Sequence, residues 1–237
     1  GGVSGIIAAS ISSDNGNNTV LIDDKNSLGG STIFQDDENF KINDEISSLW
    51  LNNQIKRIKN KKNLLIKHRT SLAAYHSYNY LLARENLADH KSLNERSNKL
   101  RQRLWKIRAK KVILATGAIE RPLVFNNNDR PGIMLANSVK KYIDYFGVRC
   151  GNKNIIFTNN DSAYETAISL NKKGFNVSIV DIRNNSSSML VKNAKDAGIK
   201  IYWNHTVVNT KGYRRIKSIE IMKMSEDGTN VIGNKIN

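Results

Sequence analysis

Three features of the 237-residue sequence predict an α/β fold built from two tandem βαβ domains of one design. A glycine turn, Gly1-Gly2-Val3-Ser4-Gly5, runs straight into the apolar helical stretch Ile6-Ile7-Ala8-Ala9. A run of β-branched and apolar residues, Thr19-Val20-Leu21-Ile22, then ends on the acids Asp23 and Asp24. The design returns later as a strand at 154–157, a helix at 161–173 capped by Gly174, a strand at 177–180, and Asp181. The spacing repeats: Gly5 to Asp23 and Ala163 to Asp181 are both 18 positions.

Composition agrees with a packed fold. With 39% hydrophobic residues the chain has enough apolar material for a core. Cys150 is the only cysteine, which excludes an internal disulfide framework and any C-x-x-C redox motif. No eighteen-residue apolar window and no basic-apolar-small leader occur, so a soluble, cytoplasmic protein without membrane contact is expected. The net charge of +16 raises the question of a polyanion-binding module. The positive residues are spread out, however, and accompany 32 Asn and 27 Ile, the residues that an AT-rich coding sequence favours. The charge therefore reads as solvated surface, with no nucleic-acid partner expected. A docking face for an acidic partner subunit stays open.

The remaining elements follow in order. Trp50, Leu51, Ile55 and Ile58 share one helical face, and a strand is expected at 63–68. A tyrosine-rich segment holds Tyr75, Tyr78 and Tyr80. Residues 83–103 are polar and read as a surface excursion without a strong strand. Alternation at 104–108 predicts a strand, and the apolar run 111–118 predicts another. Asn137 is expected to start a helix that presents Val139, Tyr142, Ile143 and Phe146 and ends at Gly147. The domains divide at 124/125, giving a first dinucleotide-binding domain at 1–124 and a second, degenerate one at 125–237. The first unit opens without its leading strand, and the chain stops without a turn after the strand-like 218–224. Both ends therefore read as truncated. The fold class is two tandem Rossmann-like βαβ domains of the FAD/NAD(P)-binding two-domain type.

The glycine turn has a stated chemistry. In G-x-G-x-x-G the second glycine lets backbone approach a pyrophosphate, the third lets helix and strand pack closely, and the helix N-terminus supplies amide donors. Gly2 and Gly5 fit these two positions. Asp23 stands where an acid accepts hydrogen bonds from ribose hydroxyls, and its charge repels a 2′-phosphate, which favours NAD or FAD over NADP. Leu28-Gly29-Gly30-Ser31-Thr32 reads as a loop passing close to the dinucleotide, with Ser31 or Thr32 offering a hydroxyl, or as an ordinary loop. Thr116 and Gly117, on a strand running into a glycine turn, are expected beside the cofactor.

In the second unit Thr158, Asn160 and Ala163 occupy the three glycine positions. Asparagine tolerates the turn, but a side chain at 160 intrudes on pyrophosphate space, so this unit is expected to keep the fold and lose nucleotide binding. The four histidines are scattered without metal-ligand spacing, and no metal is expected. No nucleophile elbow or phosphate-binding lysine loop is present. Trp50, Trp105 and Trp203 read as core residues.

One stretch is more particular. Arg101-Gln102-Arg103-Leu104-Trp105-Lys106-Ile107-Arg108, then Val112 to Gly117, then Glu120-Arg121-Pro122 through Asp129-Arg130-Pro131-Gly132-Ile133-Met134, resembles the alpha subunit of heterotetrameric sarcosine oxidases. Phe157-Thr158-Asn159-Asn160-Asp161-Ser162-Ala163-Tyr164 resembles the degenerate second domain of the same subunit. The resemblance implies part of a complex that demethylates sarcosine to glycine, forms peroxide and passes a one-carbon unit to tetrahydrofolate. It implies beta, gamma and delta partner subunits, with FAD and FMN held largely outside this chain. It also implies a tightly bound NAD here, on Gly2, Ser4, Gly5, Asp23, Asp24 and Lys25, with Ser31 on the phosphate side and Leu72 as a backbone contact. No catalytic residue is implied. An autonomous FAD-dependent amine or opine oxidoreductase subunit is the alternative.

Overall fold

The structure is a computed structural model that describes residues 1–35, 40–97 and 99–237. Two compact units divide the chain, Gly1–Ala118 and Ile119–Asn237; the sequence-based division falls at 124/125.

In the first unit α1 (Val3–Asp14) rises directly from the glycine turn, and β1 (Thr19–Ile22) follows. The small antiparallel pair β2 (Lys41–Ile42) and β3 (Glu45–Ile46) closes on Asn43 and Asp44, both at positive φ, and leads into α2 (Ser47–Lys59). β4 (Leu64–Lys67) then pairs in parallel with β1, from Thr19 opposite Leu64 to Ile22 opposite Lys67. The helical spacing acts as expected. Ile6 and Ala9 on α1 and Trp50, Leu51 and Ile58 on α2 are buried with Leu21, Leu28 and Leu64, and Ile55 packs on their edge. Each large side chain so buried contributes about 1.5–3 kcal/mol.

An antiparallel sheet completes this unit, in the order β5 (Thr70–His76), β6 (Tyr80–Asn86), β7 (Gln102–Arg108), with the single turn α3 (Leu93–Arg96) before β7. Here the expected excursion over 83–103 is corrected. Its first residues belong to β6, whose Leu81, Ala83 and Glu85 are buried in strict alternation. Glu85 disguises the pattern because a carboxylate occupies an inward position; it accepts from the Trp105 indole N–H at 2.7 Å and pairs with Lys67 at 3.4 Å. Residues 87–101 do form the connection, of which Asn98 lies outside the described residues.

The strand expected at 111–118 is also corrected. These residues join no ladder, and Ile113 and Leu114 stay exposed. Apolar β-branched composition favours a strand only where a neighbouring backbone can pair with it, and β1 pairs solely with β4 among the described residues.

The second unit begins with α4 (Ala136–Asp144). Its start is capped by Glu120, whose carboxylate accepts from the amides of Ala136 at 3.2 Å and Asn137 at 2.8 Å, so the Asn137 side chain is not the cap. Its end follows expectation, with Gly147 at φ 64° and the Val148 amide donating to the Tyr142 carbonyl. Then β8 (Lys153–Thr158), α5 (Ser162–Lys172), β9 (Asn176–Asp181), α6 (Met189–Asp196) and β10 (Lys200–Trp203) form a doubly repeated βαβ unit. Its parallel sheet has the order β10-β9-β8. Tyr164, Ala167, Ile179 and Ala194, all fully buried, centre the core between sheet and helices.

β11 (His205–Lys211), β12 (Ser218–Met224) and β13 (Val231–Ile236) add an antiparallel sheet. On β12, Glu220 is held by the Lys211 and Lys235 ammonium groups at 2.6 and 3.2 Å and by Asn209 at 3.2 Å. Hydrogen bonding, first from Lys211, brings its carboxyl down to about 2 from the ordinary 4.5. The folded state therefore binds this proton less readily than the unfolded chain. The stabilisation is complete above about pH 4.5 and is lost as pH falls toward 2. Denaturant midpoints measured across that window should fall less steeply for Glu220→Gln than for the parent.

Candidate dinucleotide site

The site is built at the C-terminal edge of β1 and β4. α1 starts at Val3 with Gly2 extended as its N-cap, and no side chain caps it. The amides of Val3, Ser4 and Gly5 therefore lack intrahelical acceptors and carry the positive end of the helix dipole. Asp23 follows β1 directly and is only 8% exposed. Its Oδ1 accepts from the Lys25 amide at 2.7 Å. A carboxylate has about four lone-pair positions, so this bond orients it and leaves acceptor capacity for hydroxyl donors.

The surrounding backbone is stitched to this acid. The Asp23 amide donates to the Lys67 carbonyl, the Thr70 amide to the Asp23 carbonyl, and the Arg69 amide to the Lys25 carbonyl. β5 thus starts two residues before Leu72, on the edge strand of its sheet, and the Leu72 side chain is exposed. His68 continues the β1–β4 register opposite Asp23, and its Nδ1 is buried without a hydrogen-bond partner among the described residues. Sequence alone sets His68 aside as an ordinary surface or core histidine.

The second glycine pair supports the first. The Gly29 amide donates to the Gly1 carbonyl at 2.8 Å. Gly30 adopts φ 58°, and a Cβ there would stand 2.9 Å from the Gly2 Cα. The two turns therefore pack backbone on backbone, a role that sequence alone does not separate from direct ligand contact. Ser31 is exposed at the start of the short 3-10 helix Gly30–Phe34, whereas Thr32 is buried.

Gly5 is buried in the first turn of α1, where a Cβ would meet Ala115 Cβ at 3.5 Å and Leu21 Cδ1 at 3.6 Å. Thr116 and Gly117 follow Ala115 in the chain, and Gly117 is in the left-handed region at φ 70° with open space where a Cβ would stand. Asp24 and Lys25 are solvent-exposed and pair with each other at 2.7 Å. Gly2, Ser4 and Gly5 therefore lie at the start of α1 with Ala115 against Gly5, and Asp23 stands at the end of β1. Ser31, Leu72 and the Asp24 and Lys25 side chains lie on adjoining elements.

These residues fit a dinucleotide. The uncapped helix start offers amide donors for a pyrophosphate, glycine at 2 puts no side chain in its way, and the Asp23 carboxylate is an acceptor for ribose hydroxyls.

The equivalent edge of the second unit is filled by the protein itself. Asp181 is fully buried and accepts from Tyr164 Oη at 2.8 Å and from Arg183 Nη2 at 2.7 Å. Burial, and then the hydrogen bond to Asp181, push the Tyr164 phenol far above its ordinary range. Tyr164→Phe should destabilise the protein by about 1–2 kcal/mol, measured by denaturant unfolding, because it removes one charge-assisted bond to a buried carboxylate.

No family model matches the chain. The chain is 32% identical over 228 residues to the sarcosine oxidase subunit alpha of Corynebacterium sp. (strain P-1), covering 95% of this chain and 23% of that protein. It is 35% identical over 210 residues to the subunit of the same name from Corynebacterium sp. (strain U-96), covering 89% and 22%. The chain is similar to a segment of these two alpha subunits. It spans less than a quarter of the length of these relatives.

Solved structures agree on the fold beneath that alpha-subunit likeness. L-proline dehydrogenase from P. horikoshii superposes with a TM-score of 0.60 at 22% identity, over 94% of this chain and 37% of that one. Thioredoxin reductase from T. acidophilum gives 0.64 at 14% identity, over 98% and 69%. Similarity at this level shows the fold alone, two tandem βαβ units, and nothing about ligand or reaction.

Proposed function

We propose that this chain is the NAD-holding, non-catalytic segment of a sarcosine oxidase alpha subunit. The observation that carries the proposal is the fixed carboxylate of Asp23 beside the uncapped, glycine-lined start of α1. Gly2 and Ser4 would hold the pyrophosphate, Asp23 the ribose hydroxyls, and Leu72 would offer backbone to the adenosine. Asp24, Lys25, Ser31, Thr116 and Gly117 would border the cofactor. The negative charge of Asp23 disfavours a 2′-phosphate, which supports NAD over NADP.

NAD bound in this way supplies a structural anchor, and no proton or hydride transfer is asked of these residues. The oxidative demethylation of sarcosine would belong to the whole oxidoreductase complex, with beta, gamma and delta subunits, FAD, FMN and tetrahydrofolate. A cytoplasmic location belongs to the same reading. Among the described residues no helix is long and apolar enough to cross a membrane.

The test is to purify the full alpha subunit alone and together with its partner subunits. The expected result is a colourless lone subunit and a yellow complex that forms peroxide from sarcosine. A yellow lone subunit that oxidises an amine or opine unaided would establish the autonomous FAD-dependent reading and overturn this one.

A further inference from the structure

The two βαβ units share one spacing, so their positions correspond: Gly2 with Asn160, Val3 with Asp161, Ser4 with Ser162, Asp23 with Asp181, and Lys25 with Arg183. The side chains at these positions behave differently. In the first unit Lys25 turns outward to Asp24 and nothing caps α1. In the second, Arg183 folds back. Its Nη2 lies 2.7 Å from Asp161 Oδ1 and 2.7 Å from Asp181 Oδ2, and its Nε donates to Asp181 Oδ1 at 3.0 Å. Ser186 Oγ also donates to Asp161 Oδ1, at 3.0 Å.

The helix start is consumed as well. Asn160 Oδ1 accepts from the Ser162 amide at 3.0 Å and from Ser162 Oγ at 2.6 Å. Thr158 Oγ1 donates to the Asn160 carbonyl and accepts from its amide.

We propose that the Asp161–Arg183–Asp181 bridge is a resident substitute for a dinucleotide, which keeps the second cleft closed to pyrophosphate-bearing ligands. Asp161 supplies the negative charge that a phosphate would bring to the start of α5. Arg183 bridges both carboxylates and offsets one of their two charges, and Tyr164 takes the position on Asp181 that a ribose hydroxyl would use. The intrusion of the Asn160 side chain is thus one part of a larger closure. The arginine two residues beyond the acid is a signal for it that the glycine pattern does not contain. This inference does not depend on which dinucleotide the first unit holds.

The test uses the full subunit with its first site saturated by its own ligand. Inorganic pyrophosphate is titrated by calorimetry into the parent and into Asp161→Ala. The parent should show no second site. Asp161→Ala removes the resident anion and frees one face of the Arg183 guanidinium, so pyrophosphate affinity should rise at least tenfold. A merely structural salt bridge would lower the melting temperature without creating that affinity.

A parent that takes up a second dinucleotide per chain would overturn the proposal. So would a folded Asp161→Ala whose isotherm matches the parent. Asp161→Ser, which removes the charge but supplies a hydroxyl able to cap α5, serves if the alanine variant does not fold, and the parent's stoichiometry decides independently of either.

Discussion

Asp23→Asn should weaken retention of the dinucleotide roughly ten- to a hundredfold while leaving the fold intact. The asparagine carbonyl still accepts from the Lys25 amide that now bonds Oδ1. The loss falls on hydrogen bonds from ribose hydroxyls to a charged acceptor. Bonds of this kind are worth about 1.5–3 kcal/mol, and each 1.4 kcal/mol is about a tenfold change in affinity. Equilibrium dialysis of NAD against the full subunit and this variant gives the ratio. The same affinity in both would remove Asp23 from the site. Because the variant also relieves repulsion of a 2′-phosphate, its discrimination against NADP should narrow.

The second large effect is expected at Gly30. An alanine there must adopt φ 58° and place its Cβ 2.9 Å from the Gly2 Cα, a backbone atom that cannot rotate away. Holding a residue with a side chain in that region costs about 1–3 kcal/mol, and displacing the Gly2 turn adds disruption of the cofactor cradle. Gly30→Ala should therefore lower the melting temperature and dinucleotide content together. Gly5→Ala is the contrast. Its Cβ meets neighbours at 3.5 and 3.6 Å, which is ordinary contact, and its backbone is helical. It should change both quantities little, although motif logic gives the third glycine a packing role. Thermal unfolding and released-ligand quantification on the two variants separate these outcomes.

Much of the architecture was legible because its signals are local. Helical spacing of Ile6 with Ala9 and of Trp50 with Ile58 identified the faces that bury. The repeated 18-residue interval identified two units of one design. Signals that depend on partners distant in sequence were not legible. β6 was hidden because Glu85 is acceptable inside only when Trp105 and Lys67 meet it. Residues 111–118 looked like a strand because composition records the preference for a ladder and not the presence of a neighbour.

The same division runs through the site. Gly2, Gly5 and Asp23 are proposed as site residues from a motif read along the chain. The packing of Gly30 on Gly2 and the folding of Arg183 across Asp161 and Asp181 arise only when separate turns meet.

On the proposed function this segment would hold one NAD and no flavin. The most direct measurement is to denature the full alpha subunit, expressed without its partners, and identify the released compounds by mass and absorbance against the protein concentration. One equivalent of NAD per chain and no flavin is the expected result. Release of FAD in NAD's place, or of two dinucleotides per chain, would contradict it.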